Sequence, residues 1–273
     1  MDLFSPMLEK RATVKSPRDT LPCPVEIPFL QFPGLSRVEG LRHAVYTRLG
    51  GSSRPPYESL NISSLVGDDA DRVAENRQRI QQAFGAPRLQ EMNQVHGDRI
   101  LVLKHKQDEP SQCKAPAVDA AVTTLPGVAL MVKQADCQAI VLVERARKAV
   151  AVVHCGWRGN VVNLPARVVE EMRFSMGCSP AGMRAAIGPS LGPCCAEFTS
   201  YETLFPEHFR RFLVGKNHFD FWEISRMQLI EAGLPKDGIE IAGICTRCRT
   251  DLFFSYRGEK TTGRFATLAM LEP

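Results

Sequence analysis

Three short apolar runs constrain the fold more than any other feature. Val128–Val132, Ile140–Val143 and Ala149–Val153 follow one another within a few turns of chain. Each run is too short for a core helix, and valine and isoleucine are frequent in all three, so each reads as a strand. Nearly continuous apolar character, without alternation, suits strands covered on both faces. The chain must therefore supply further layers on either side of a sheet.

Helical segments are available to do so. The spacing predicts a helix over 68–84, with Asp68 as N-cap, Asp71 three residues on, Val73, Ile80, Ala83 and Phe84 on one face, and Gly85 as the stop. Asn163 to Met176, ended by Gly177, and Asp220 to Ala232, opened by Asp220 and Glu223, read the same way. A short helix is expected near Glu197–Leu204. Strands are expected at 41–47, 99–103, 184–187, 239–244 and 264–271. Strands and helices are interspersed without a regular βαβ repeat, so the class is α/β (α+β) with a mixed sheet. No repeat or Gly/Ser linker divides the 273 residues. Residues 25–273 read as one domain, and 1–24, broken by Ser5-Pro6, Ser16-Pro17 and Pro22-Cys23-Pro24, as a poorly ordered extension.

Composition excludes several function classes. A net charge of +4, with no run of five like charges, does not describe a nucleic-acid binder, so anion recognition must depend on a few placed arginines. The apolar runs are strand-sized, so no membrane-spanning helix is expected. Nine cysteines is the unusual count. The number is odd and no signal peptide is visible, so the expectation is a reduced, cytoplasmic protein.

Three segments put a metal-capable residue at the mouth of an apolar strand: Asn93-Gln94-Val95-His96-Gly97, Ala135-Asp136-Cys137 and His154-Cys155-Gly156-Trp157-Arg158-Gly159. Two imidazoles and one thiolate are a sensible set for zinc, leaving a fourth position for water. The residues themselves leave two other readings open: a thiolate nucleophile beside an imidazole, and an ordinary buried thiol with hydrogen-bonded histidines. Gly50-Gly51-Ser52 and Gly188-Pro189-Ser190 are turns whose N–H groups are able to meet an anion. Arg48 and Arg158 are candidate phosphate contacts, with structural arginines as the alternative. Cys245-Thr246-Arg247-Cys248 is a redox or metal half-motif, and Cys194-Cys195 read as packing or as flanking a pocket.

The combination of segments is more specific. Thr47-Arg48-Leu49-Gly50-Gly51, Val66-Gly67-Asp68, Glu75-Asn76-Arg77, Asn93 to Gly97, Asp119-Ala120 with Thr123, Asp136-Cys137, His154 to Gly159, Ile187 to Cys195, and Ser255-Tyr256-Arg257 with Gly263-Arg264 occur in this order. Together they resemble the YfiH-like family, also called the polyphenol-oxidase or laccase-domain family, over residues 37–271. The resemblance implies a single-domain layered α/β/β/α sandwich and a zinc site at His96, Cys137 and His154, which would also be the catalytic residues. It implies purine nucleoside chemistry: phosphorolysis of adenosine, inosine, guanosine or methylthioadenosine, and deamination of adenosine.

On that reading Arg48, Asn93, Gln94, Asp136 and Arg158 would shape the substrate pocket, with phosphate as co-substrate. The partners would be small molecules, with no nucleic acid or membrane, and the chain a monomer or homodimer. Copper as the metal, a peptidoglycan-precursor amidase or hydrolase, a copper polyphenol oxidase and a non-enzymatic metal-binding protein are the alternatives. With six histidines and no His-x-His pair, a multicopper centre is poorly supplied with ligands. The chain departs from the family pattern at Gln138, where proline is usual, and at Cys155, where alanine is common.

Overall fold

A computed structural model describes residues 10–14, 25–105, 115–146 and 148–273. The described chain runs β1 (Lys10–Val14), β2 (Val25–Leu30), β3 (Leu41–Tyr46), α1 (Ala70–Phe84), β4 (Arg88–Gln90), β5 (Ile100–Leu103), β6 (Ala120–Thr123), β7 (Val128–Gln134), β8 (Gln138–Glu144) and β9 (Ala149–Cys155). It continues through α2 (Trp157–Val161), α3 (Leu164–Met176), β10 (Met183–Ile187), α4 (Tyr201–Leu204), β11 (Leu213–Val214), β12 (His218–Phe219), α5 (Phe221–Glu231), β13 (Ile239–Ile241), α6 (Tyr256–Glu259) and β14 (Phe265–Leu271).

Two six-stranded sheets form, ordered β1-β2-β3-β14-β7-β4 and β13-β10-β8-β9-β6-β5. Both are mixed: β4 runs parallel to β7, and β5 to β6, while β14 and β7 are antiparallel, as are β8 and β9. Every residue of the three apolar runs is buried, because each of these strands is covered twice. On β9, Val150 and Val152 face the space between the sheets, where they share a core with Leu130 and Val132 of β7. Its other face, Ala149, Ala151 and Val153, packs with Leu164, Val168 and Met172 of α3 and Leu229 of α5. On the far side of the first sheet, Ala129 and Met131 meet Ile80 and Phe84 of α1. The layers are therefore α/β/β/α, as the resemblance implied.

Local signals fell close to their expected places. Gly85 and Gly177 close α1 and α3 in the left-handed conformation (φ 68° and 65°), which glycine adopts without steric cost. Asp220 caps α5 by accepting from the Glu223 N–H at 3.0 Å. The α1 cap is shifted: Asp69 accepts from the Asp71 and Arg72 N–H groups, at 2.9 and 3.1 Å. Asp68, the expected cap, instead accepts from Ser53 Oγ (2.6 Å) and Asn61 Nδ2 (2.8 Å), tying a loop to the helix start. The helix expected over 197–204 is confined to Tyr201–Leu204. Of the expected leader, Lys10–Val14 is a strand antiparallel to β2; the rest of 1–24 lies outside the described residues, as do Cys23 and Cys113. No described helix is long and apolar enough to cross a membrane.

Arg48 is built into this scaffold. It is 7% exposed, its guanidinium lies 4.4 Å from the centre of the Phe254 ring, and it donates to the Glu58 and Thr250 carbonyls. It also pairs with Glu259 at 2.8 Å. These contacts join the 48–59 turn to the 250–259 segment, so Arg48 performs a structural task in place of the expected phosphate contact. Burial acts to raise the Glu259 carboxyl, but Arg48, the Ser255 N–H and the Thr262 hydroxyl outweigh it and hold it below the usual glutamate value. A depressed folded value stabilises the fold above the unfolded pKa of about 4.3 and loses that contribution as pH falls through the folded value. Glu259→Gln is expected to lower stability at pH 7 by about 1.5–3 kcal/mol, the worth of hydrogen bonds to charge. The gap from the parent protein should close under acid, as read by urea melts at pH 7 and pH 3.

Candidate active site and metal centre

The site sits where the chain crosses from one sheet to the other. β7 ends at Gln134 in the first sheet and β8 begins at Gln138 in the second, with Ala135, Asp136 and Cys137 between them. Asp136 takes a left-handed conformation (φ 87°), rare for a residue with a side chain. The turn is held by its carboxylate: Oδ1 accepts from Thr246 Oγ1 and Ser255 Oγ, each at 2.7 Å, and Oδ2 from the Arg257 N–H at 2.5 Å. These bonds aim Cys137 at the end of β9, where His154 projects.

His96, Cys137 and His154 converge, their ligand atoms all within 4.8 Å of one another. Cys137 Sγ is 3.9 Å from His96 Nε2, and the two imidazole rings stand 4.8 Å apart, edge to face. Zinc bonds of about 2.3 Å to sulfur and about 2.0 Å to nitrogen imply ligand separations of roughly 3.5 Å in a tetrahedron, so this donor set fits a cation. Three protein ligands leave a position open, as in catalytic sites.

Asp119, fully buried just before β6, organises the cluster. It accepts from the Val95, His96 and Gly97 N–H groups at 3.2, 2.9 and 2.7 Å, and His154 Nδ1 lies 2.9 Å from its Oδ1. With Nδ1–H committed to the carboxylate, His154 presents Nε2 as the ligand atom. Burial acts to raise the Asp119 carboxyl, yet His154 and the N–H donors hold it below the ordinary aspartate range. Burial likewise opposes charge on Cys137 and His154, but each stabilises the other's ion, with Asp119 assisting. The thiol is lowered to about 6 and the imidazole raised to about 9.

Gly156 allows this crowding. A Cβ at its position would lie 2.8 Å from Cys137 Sγ and 3.6 Å from His96 Cδ2. Its backbone (φ −82°) suits any residue, so only the added methyl matters. Gly156→Ala is expected to fold normally yet lose about 10–100-fold in metal affinity, the scale seen when a ligand's support is disturbed. Titration with a competing chelator and a thermal melt read the two parts separately.

A cavity of about 670 Å³ opens over the cluster, within the size range of small-molecule sites. Trp157, Phe198, Phe221 and Tyr256 give it aromatic walls, and Lys133, Arg158, Arg257 and Arg264 give it positive charge. Of the expected substrate residues, Gln94, Asp136 and Arg158 line it; Arg48 and Asn93 do not. The Gln94 amide is clamped to β7, donating to the Lys133 carbonyl (2.7 Å) and accepting from its N–H (2.8 Å). The Arg158 guanidinium stacks on Trp157 at 5.0 Å. The Gly51, Ser52, Gly188 and Ser190 N–H groups of the two glycine turns donate to internal acceptors in place of an anion.

The two departures from the family pattern take structural places. Gln138 donates to the Phe221 carbonyl at 2.7 Å and accepts from Ser225 Oγ, anchoring α5. Cys155 packs with the helix-side core and does not join the ligand cluster; burial pushes its thiol far up. Asp119, Lys133, Arg257 and Arg264 received no role from the sequence. Lone charged residues among apolar neighbours were the available signal for Asp119 and Lys133.

The family described as multi-copper polyphenol oxidoreductase laccase matches residues 42–272. The chain belongs to this family. A relative from Escherichia coli (strain K12), purine nucleoside phosphorylase YfiH, is 33% identical over 246 residues, covering 85% of this chain and 95% of its own. Another relative, adenosine deaminase RL5 from an unknown prokaryotic organism, is 34% identical over 236 residues, covering 81% of this chain and 89% of its own. The crystal structure of the Bacillus licheniformis hypothetical protein YfiH superposes with a TM-score of 0.82 at 27% identity, covering 90% of this chain and 96% of that one. The laccase-domain fold is thus the one described above.

Proposed function

We propose that the chain is a zinc-dependent purine nucleoside enzyme. It would phosphorolyse adenosine, inosine, guanosine and methylthioadenosine to free base and the corresponding ribose 1-phosphate, and deaminate adenosine. The observation that carries this reading is one cavity joining a two-histidine, one-cysteine cluster to aromatic walls and several cations. A purine needs apolar, aromatic contact, and Trp157, Phe198 and Phe221, packed edge to face, line the cavity to supply it. A phosphate co-substrate needs placed cations; Arg158 and Arg264 fit that task, the second half-buried and facing Cys137 and Asp136. Two relatives bear the names of the two activities.

His96, Cys137 and His154 would hold the metal. When bound, such a cation supplies an activated water and polarises a leaving group. Asp119 keeps His154 in one tautomer and orientation. Without a cation, Cys137 and His154 stabilise each other's charge, the thiol held low and the imidazole high, so an arriving metal would find the thiolate ready and displace the His154 Nε2 proton. The aromatic walls exclude water from the sugar–base bond, and the arginines position the attacking phosphate.

The test is direct. Zinc-loaded protein given inosine and phosphate should release hypoxanthine and ribose 1-phosphate, and given adenosine should form inosine. Silence equal to that of a Cys137→Ala control would refute the reading. The family's descriptive name raises oxidation of phenols instead. Among the described residues, however, His96 and His154 are the only histidines in any three-ligand cluster, which is thin provision for several coppers. Oxygen uptake with a phenol by copper-loaded protein distinguishes that reading.

A further inference from the structure

A second cluster of metal-capable side chains lies outside the catalytic triad of ligands. Cys194-Cys195 follow β10, and Cys245 and Cys248 follow β13, its parallel neighbour. A parallel bridge between Ser190 and Cys245 extends the strand pairing into the two loops. The four Sγ atoms all lie within 4.8 Å of one another, and Cys248 Sγ is 3.6 Å from both Cys194 Sγ and Cys195 Sγ. A disulfide would need about 2.05 Å. Four thiolates on a tetrahedral zinc with bonds of about 2.3 Å stand roughly 3.8 Å apart. The observed spacing matches the second geometry.

We infer that Cys194, Cys195, Cys245 and Cys248 form a closed, structural tetrathiolate site for a thiophilic divalent cation, with zinc as the metal. All four coordination positions come from the protein, so the site has no room for substrate. Binding would expel the thiol protons to solvent and exchange four S–H groups for four metal–sulfur bonds. Its place in the fold gives it a task. Leu191 lines the cavity, Thr246 donates to Asp136, and Arg257 donates to the Glu197 carbonyl. The cation would pin together the two loops that hold the Asp136 turn, on which Cys137 rides. The exposed Cys194 and Cys248 give the metal a way in.

The experiment uses the full chain carrying Cys137→Ala, which removes the thiolate of the other centre. Cobalt(II) added under reducing, oxygen-free conditions should produce intense sulfur-to-cobalt charge-transfer absorption and tetrahedral ligand-field bands. Adding Cys245→Ser and Cys248→Ser should abolish them, and elemental analysis of zinc-loaded protein should fall by one equivalent per chain. A weak, octahedral cobalt spectrum in folded Cys137→Ala protein would overturn the proposal. So would peptide mapping that finds these cysteines joined as disulfides in protein isolated without oxidant. Because the first measurement is made on protein with all four cysteines intact, it decides the matter even if the serine variant does not fold.

Discussion

Cys137→Ala is expected to reduce kcat/KM for nucleoside by about 10²–10⁴-fold, the range a positioned acid/base group contributes. The side chain stands at the convergence of everything the site assembles. It lies opposite His96, it forms an ion pair with His154, and the three-bonded Asp136 turn aims it. The effect should be almost purely functional. Cys137 is partly exposed at the cavity floor, so losing its sulfur leaves no sealed void, and the thermal midpoint should stay within a few degrees of the parent's. Steady-state kinetics, metal content and a melt on the same preparation check all three parts. Full activity in a metal-depleted variant would remove both the metal and the thiolate from the mechanism.

Asp119→Ala should produce the opposite balance, a loss of fold as well as of function. The carboxylate accepts from three successive backbone N–H groups and faces His154, with no exposure to solvent. Its removal leaves donors buried or forces water in, and about 3–5 kcal/mol of stability should go, as for a broken buried ion pair. Asp119→Asn separates the two roles. The amide keeps the shape and one accepting oxygen, so much of the stability should return. It presents N–H to groups that also donate, however, and its neutral oxygen holds His154 Nδ1–H less firmly than the carboxylate does. Metal affinity should therefore remain about 10–100-fold down. Urea melts and chelator titrations of both variants test this. Equal stability for Asp119→Ala and the parent would show that the His96 loop is held by something else.

What was legible in the sequence follows from how local each cause is. A strand buried on both faces leaves its mark residue by residue, which is why β7, β8 and β9 were readable. Gly85, Gly177 and Asp220 announced helix ends because a cap acts within one turn. β1, β2, β4 and β6 carry no comparable local mark: β1 and β2 join the sheet edge by pairing with each other and with β3, and the three- and four-residue strands β4 and β6 exist only through their partners, β7 for the first, β5 and β9 for the second. The metal ligands, 41 and 17 residues apart, carried no local spacing, and the resemblance to a family singled them out. Arg48 was misread because a guanidinium bonded to carbonyls and one bonded to phosphate look alike until the carbonyls are located. In the sequence the four clustered cysteines read as two separate pairs, since the pairing of β10 with β13 that unites them is a long-range fact.

The three-residue crossing from β7 to β8 has a consequence for how the molecule melts. Ala135, Asp136 and Cys137 leave no slack between the sheets, so neither sheet can slide or peel away without displacing the cysteine. Occupancy of the site and integrity of the sandwich are thermodynamically linked. A ligand held at 100 times its dissociation constant adds about 2.7 kcal/mol to the folded state. Here that increment should be shared by both sheets at once, so amide-exchange protection should rise together on β3, none of whose residues line the pocket, and on β9 beside it.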